Sequence, residues 1–282
     1  MNAKTIVITG CSTGFGRVTA LQLAEHGWRV VATVRREADR LDLLAEAAAR
    51  NVSERLLVVL CDITLPADVA RLAQSVHEMA SGLDALLNNA GTGYGGPLEL
   101  LPLADVQAQL EVNLYGHLAV TQALLPDLKA ARGTLINVSS IGGWLAFPLY
   151  GPYHMSKFAL NAMSEVLRLE LAPFGVKVVI VAPAASPTPI WETGLRRIHA
   201  SSVFSNMGDY ARLADAMERR ARQTAASGFP PELFARTVLR ILNSRRPASL
   251  TYVPAWAGLM VAGRRLLPDW LWDWGVRRVL GW

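Results

Sequence analysis

The stretch Thr5-Ile6-Val7-Ile8-Thr9-Gly10-Cys11-Ser12-Thr13-Gly14-Phe15-Gly16 decides the fold of this 282-residue chain. It begins with a run of β-branched residues, which suits a strand covered on both faces. Three glycines spaced G-x-x-x-G-x-G follow at once, and an amphipathic helical pattern opens near residue 15. In the order strand, glycine turn, helix, such a segment can hold a pyrophosphate. Glycine lets the backbone approach the phosphate, and a helix start presents oriented N–H groups. A glycine turn with a purely structural purpose is the alternative, weakened by the strand before it and the helix after it.

Outward from this segment, short apolar runs alternate with longer amphipathic stretches to about residue 182. Strands are expected at Thr5–Thr9, Arg29–Val34, Leu56–Leu60, Ala85–Leu87, Thr134–Val138 and Lys177–Val181, with helices near 15–26, 38–50, 67–81, 103–130 and 152–172. This alternation predicts an α/β fold: a Rossmann-type, doubly wound, mostly parallel sheet of seven strands with helices on both faces. No repeat or low-complexity linker interrupts it, so residues 1–282 are expected to form a single domain. The proline-rich run Ala182–Pro189 should not continue as helix or central strand. Residues 184–228 are expected to be substrate-binding loop and helices, helical and polar over 190–227. A helix at 231–243, a last strand at Ser249–Val253 and a Trp/Arg-rich extension at 254–282 complete the chain.

Half of the residues are hydrophobic (51%) and few are charged (18%), which suits a sheet buried on both faces. Cys11 and Cys61 are too few for a disulfide scaffold, and no metal-ligand spacing exists. No targeting segment is visible at the N-terminus, so a cytoplasmic location is expected. The net charge of +5 hides an asymmetry: residues 1–189 carry 14 basic and 16 acidic side chains, whereas 190–282 carry 14 Arg and 7 acids. The five Arg pairs there are spread out and accompanied by no nucleic-acid motif. A solvated face is the plain reading, an acidic or membrane partner the alternative, and nucleic acid is not expected.

A second constellation supplies chemistry. Tyr153 and Lys157 lie four apart on an expected helix, on one face, and Tyr153 falls thirteen residues after Ser140. An ammonium beside a phenol favours phenolate, so a group that titrates near ~10 in water can act near neutral pH. With the glycine turn, this points to hydride transfer with a nicotinamide cofactor. The second strand ends Ala32-Thr33-Val34-Arg35-Arg36, with no acid to bind a ribose 2′-hydroxyl and two guanidiniums that match a 2′-phosphate. NADP(H) is therefore expected over NAD(H), the alternative being that both Arg face solvent.

Thr9–Gly16, Cys61-Asp62-Ile63, Asn88-Asn89-Ala90-Gly91, Asn113, Ser140, and Tyr153 with Lys157 occur in order and at the spacing of one family. The chain resembles the short-chain dehydrogenases/reductases over about residues 4–189, and within them the hydroxysteroid and retinol dehydrogenase branch. The resemblance implies that Gly10, Ser12, Thr13, Gly14, Phe15 and Gly16 cradle the cofactor, that Arg35 and Arg36 reach its ribose, and that Asp62 binds the adenine amino group beside Ile63. Asn89, Ala90 and Gly91 would let the backbone approach the ribose, while Asn88 braces the sheet. Tyr153 would be the general acid or base, Lys157 would lower its pKa and hold the nicotinamide ribose, and Ser140 would hold the substrate oxygen. Asn113 would kink its helix and hold a water that connects Lys157 to solvent. Pro183 and Thr188 stand where the family meets the nicotinamide amide, but Ala184 replaces the usual glycine. A homodimer or homotetramer is also implied.

Two neighbours are decoys: Tyr150 has His154 rather than Lys four residues on, and Ser139 is off the thirteen-residue spacing. His154 is expected at the surface or the pocket edge. Substrate contacts are expected from Ser140, Trp144, Tyr150 and Trp191, with Leu145, Phe147, Leu149, Ile198, Phe204 and Met207 nearby. An apolar lining of this kind points to a bulky hydrophobic ketone or alcohol, although about half of these residues could simply fill the core. Five of the eight tryptophans fall in 256–282, and this tail could lie in a membrane interface or seal a subunit contact or the pocket mouth. The rival to an oxidoreductase is a catalytically silent nucleotide-sensing or scaffold protein on the same fold. Another reaction on that scaffold, such as epimerisation, is a further alternative.

Overall fold

The computed structural model of the chain describes residues 3–79, 82–188, 193–194 and 207–282. Its strands are β1 (Thr5–Ile8), β2 (Arg29–Val34), β3 (Leu56–Leu60), β4 (Ala85–Asn88), β5 (Thr134–Val138), β6 (Lys177–Pro183) and β7 (Leu250–Val253). They form one parallel sheet in the order β3-β2-β1-β4-β5-β6-β7. The early crossovers run outward from β1 towards β3 and the later ones from β4 towards β7. A crevice therefore opens at the carboxyl ends of β1 and β4, where such sheets bind ligands.

The helices are α1 (Gly14–Glu25), α2 (Glu37–Ala49), α3 (Pro66–His77), α4 (Leu103–Leu110), α5 (Gly116–Ala131), α6 (Gly151–Leu171), α7 (Ala211–Ala226), α8 (Pro231–Asn243), α9 (Ala257–Leu266) and α10 (Asp269–Leu280). Strand residues alternate between two core layers, because successive side chains point to opposite faces. Ile6 and Ile8 pack with Leu21 of α1, Leu43 of α2 and Phe234 of α8. Val7, between them, packs with Leu72 of α3, Leu124 of α5 and Leu167 of α6. Both layers are closed, so each strand reads as a near-continuous apolar run.

Three expectations need correction. The single helix expected over 103–130 is broken by a π-helical turn at Glu111–Tyr115. Helical periodicity does not reveal one extra residue in a turn, and the cause is tertiary: the Asn113 side chain is pulled inward. Strand β6 runs to Pro183, beyond Val181, with Pro183 in register with Val253 and the Ala184 N–H donating to the Val253 carbonyl at 2.7 Å. Proline lacks only its own N–H, so as the last residue of the strand it leaves the ladder intact. The tail, expected only as an extension, forms helices α9 and α10. Among the described residues no helix is long and apolar enough to cross a membrane.

Candidate active site

The glycine-rich turn folds back onto the end of β4. Gly10 has φ +72°, and a Cβ there would stand 2.7 Å from the Ala90 Cα. A Cβ on Gly16 would come within 2.5 Å of Asn89 Nδ2. Asn89 locks the two segments: its Nδ2 donates to the Thr9 carbonyl at 2.9 Å and the Gly10 carbonyl at 3.1 Å. The Thr9 hydroxyl accepts from the N–H groups of Asn89 and Ala90 at 2.9 and 3.0 Å. Thr13 caps α1 by position, but no side chain accepts from its first N–H groups. An uncapped helix start beside a bare glycine turn fits a pyrophosphate. Ser12 and Thr13 line this turn, and Gly14 lies 3.4 Å (by its would-be Cβ) from the Thr188 side chain. Phe15 points away, its ring stacked on Phe234 at 4.3 Å and Phe229 at 5.7 Å, so only its backbone belongs to the cradle. Arg17, which sequence reasoning passed over, braces the turn from outside. Its guanidinium pairs with Asp42 at 2.6 Å and Glu46 at 2.7 Å, and donates to the Ser12 carbonyl at 3.2 Å.

At the end of β2, Arg35 and Arg36 are both exposed. Arg36 donates two bonds to the Asp39 carboxylate, each at 2.8 Å, whereas Arg35 makes no ion pair among the described residues. After β3, Asp62 Oδ1 accepts from the Thr64 N–H and hydroxyl at 3.0 and 2.8 Å, an Asx turn that holds the carboxylate at the rim. Ile63 turns inward and sits in the core against Gly116. Asn88 braces the sheet: its Nδ2 donates to Thr121 Oγ1 at 2.8 Å and Asn137 Oδ1 at 2.9 Å. Gly91 follows, with nothing closer to its would-be Cβ than the Asn89 carbonyl oxygen at 3.7 Å.

The catalytic candidates converge from β5, the π turn and α6. Ser140 caps a short 3-10 turn, its Oγ accepting from the Gly142 N–H at 3.0 Å. Its hydroxyl is near enough to the Tyr153 phenol to favour the phenolate. Burial pushes the Tyr153 pKa up, and the Ser140 contact works against that. Lys157 Nζ lies 5.8 Å from the centre of the Tyr153 ring and donates to the Val138 carbonyl at 2.8 Å. Burial, with no carboxylate as partner, lowers the Lys157 pKa to about 8. The expected lowering of the Tyr153 pKa by Lys157 is not found: burial raises it, opposed by Ser140 and not by Lys157. Asn113 Oδ1 accepts from the Thr92 N–H at 2.9 Å, and its Nδ2 donates to the Thr92 carbonyl and Ser156 Oγ, each at 3.1 Å. Four groups from three elements thus meet in one largely buried polar cluster.

Two histidines join this cluster, and one of them, His117, escaped sequence reasoning. His117 is wholly buried and donates from Nε2 to the Ala90 carbonyl at 2.7 Å. It lies four residues after Asn113, a spacing that could have flagged it. His154 is buried rather than at the surface. Its Nδ1 donates to the Gly142 carbonyl at 2.8 Å and its Nε2 accepts from the Phe147 N–H at 3.0 Å, so it staples the loop after Ser140 to α6. Ser139 is likewise structural, donating to Asn161 Oδ1 at 2.6 Å.

The outer rim is apolar. Trp144 packs on Tyr252 with ring centres 5.7 Å apart. Tyr150, Phe147 and Leu149 pack around Leu213 and Met217 of α7 and Leu280 of α10. Burial and the Glu218 charge raise the Tyr150 pKa to about 12, which disfavours it as an acid–base group. Ala184 serves where a glycine was expected because its φ is not positive. Met207 is buried; Trp191, Ile198 and Phe204 lie outside the described residues.

Comparison with known proteins agrees with this arrangement. The profile of the short chain dehydrogenase family matches residues 4–197. A 3-ketodihydrosphingosine reductase of Bacteroides thetaiotaomicron is 34% identical over 98% of both chains. Human retinol dehydrogenase 5 is 44% identical over 66% of this chain and 57% of its own length. A short chain dehydrogenase/reductase of Burkholderia phymatum, solved with NAD, superposes with a TM-score of 0.79 at 26% identity, over 94% of this chain and 93% of its own. The chain belongs to the short-chain dehydrogenase/reductase family, oxidoreductases of CH–OH and C=O groups, and is similar to its retinol and hydroxysteroid dehydrogenases.

Proposed function

We propose that the protein is an NADP(H)-dependent oxidoreductase that interconverts a bulky hydrophobic ketone or aldehyde and the corresponding alcohol. One observation carries this: the Ser140 hydroxyl faces the Tyr153 phenol, with Lys157 Nζ 5.8 Å from the Tyr153 ring, at the end of the sheet where α1 starts uncapped. The nicotinamide, when bound, gives or takes the hydride. Ser140 holds the substrate oxygen. Tyr153 gives that oxygen a proton in reduction and takes one back in oxidation, a role worth ~100- to 10,000-fold in rate. Lys157 holds the nicotinamide ribose and favours the phenolate once Tyr153 has lost its proton. Asn113, with Ser156, orients the inner end of the path by which Lys157 regains one. An intact set of this kind argues against the silent sensor or scaffold.

Substitution Tyr153→Phe should lower kcat at least ~100-fold while leaving reduced-cofactor affinity unchanged. Nicotinamide oxidation over a panel of ketones graded by size checks this, and unchanged turnover in the variant would overturn the assignment. A hydrophobic substrate is supported by the rim of Trp144, Phe147, Leu149 and Tyr150, and the relative matched over 98% of both chains is named a 3-ketodihydrosphingosine reductase.

The NADP(H) preference rests on Arg35, whose guanidinium is exposed and unengaged among the described residues, while Asp39 occupies the fork of Arg36. Charge-assisted bonds of this kind are worth ~1.5–3 kcal/mol. Arg35→Ser should therefore raise KM for NADPH ~10- to 100-fold with little change for NADH, and Arg36→Ser should do less. An unchanged NADPH-to-NADH ratio in Arg35→Ser would remove Arg35 from this role. We expect a homodimer or homotetramer, supported by an apolar outer stripe on α6.

A further inference from the structure

We infer that helices α9 and α10 form a docking surface for an anionic phospholipid bilayer, held against the rim of the active site. Their outer side is strongly apolar: Trp256, Leu259, Leu266, Trp270, Trp274 and Trp282 are between 50 and 85% exposed. The inner side is already spent on the fold. Ala257 and Val261 of α9 are buried, Val276 and Leu280 of α10 pack with Leu213 and Met217 of α7, and Trp272 meets Phe147 at 5.8 Å. Trp282 also stacks on Tyr210 at 5.8 Å, but the other outer side chains are surplus to the core, and exposed apolar surface of this kind marks an interaction site.

The chemistry around it selects the occupant. Trp270, Asp273, Trp274, Arg277, Arg278 and Trp282 line a shallow groove of about 550 Å³. The Arg278 guanidinium lies 5.8 Å from the Trp274 ring. Indole rings interleaved with guanidiniums suit the headgroup level of a bilayer, with ring bodies among the upper acyl chains and guanidiniums on phosphates. Neither helix can span, so the pair would lie in the interface plane. Helix α7, packed on α10, adds exposed Arg212, Arg219 and Arg220, within a region of 14 Arg and 7 acids. A second copy of the chain fits less well. A two-fold contact apposes the same patch to itself, so Arg277 and Arg278 would meet their own copies. Asp273 is the sole acid in the groove, and Asp269 is already paired with Arg264. In the docked orientation Phe147, in contact with Trp272, sets the active-site rim directly behind the lipid-facing helix.

Co-sedimentation of the full chain with phosphatidylcholine vesicles, with and without phosphatidylglycerol, tests this. Binding is expected only to the anionic vesicles, weakening as salt rises. Trp270→Ser/Trp274→Ser should lower the bound fraction at least ~10-fold, as should Arg277→Gln/Arg278→Gln. Both pairs are solvent-facing, and unchanged melting temperatures would verify the fold. The proposal is overturned by no partition into anionic vesicles at low salt, or by binding that survives the tryptophan substitutions. Self-association lost in the tryptophan variant, without lipid binding, would instead assign the surface to a second copy. No substrate or cofactor enters the assay, so its failure leaves the oxidoreductase reading untouched.

Discussion

The His117 imidazole, buried among Ala90, Asn113 and Lys157, donates from Nε2 and leaves Nδ1 without a partner among the described residues. Its pKa falls from 6.5 to about 3, first through burial and then through the Lys157 charge. A depressed pKa means that the fold holds the neutral form. This stability is complete above about 6.5 and is lost as pH falls from there towards 3. At ~1.4 kcal/mol per unit, the loss approaches ~5 kcal/mol below both values. His154, also lowered by burial, adds to the same acid limb. His117→Leu should flatten that limb in urea melts between pH 6.5 and 3, and should cost ~1 kcal/mol at neutral pH for the lost bond to Ala90. Because Ala90 borders the ribose site, the variant should also raise cofactor KM more than it lowers kcat. An unaltered acid limb would show that His117 does not carry this dependence.

At the scale of elements, the glycine turn closes onto the end of β4 because Gly10 and Gly16 carry no side chain where Ala90 and Asn89 approach. Gly16→Ala would drive a methyl group into Asn89 Nδ2 and the Gly10 carbonyl, prising β1 from β4 at the crevice. We expect cofactor affinity to fall at least ~10-fold, with a destabilisation of ~1–3 kcal/mol. Titration of the variant with NADPH and a thermal melt read both, and wild-type affinity would refute the close-approach argument. The glycines were legible in sequence because spacing alone marks the turn. The π turn at 111–115 was not, since a helix registers one extra residue only when a tertiary partner, here Thr92 with Ser156, draws Asn113 inward. His154 was misplaced for a similar reason. Its neighbours in sequence are site residues, but its bonds go to Gly142 and Phe147 on another segment.

Across the whole molecule, helix α6 has two faces of different character. Its inner face carries Tyr153 and Lys157, while Met155, Phe158, Val166 and Leu169 stand 45 to 66% exposed on the outer face. An oligomer that covers this stripe would brace the catalytic helix from behind. Val166→Glu/Leu169→Glu should weaken self-association at least ~10-fold by burying charge in an apolar contact. Sedimentation equilibrium measures this, and a monomeric wild-type chain would refute it.

By itself the sequence determined the parallel α/β fold and the glycine turn, and it named Ser140, Tyr153 and Lys157 as candidates. Each depends on local periodicity or on short fixed spacings, which backbone geometry translates directly into strand, turn and helix face. Only the tertiary structure decided that Phe15 and Ile63 turn into the core, that Arg36 is taken by Asp39 and Arg35 is not, and that His117 and His154 brace the site. It also decided that the tail folds back as two helices on the active-site rim. These outcomes turn on competition for partners and for buried space between segments far apart in the chain. Such competition leaves no periodic trace in the order of residues.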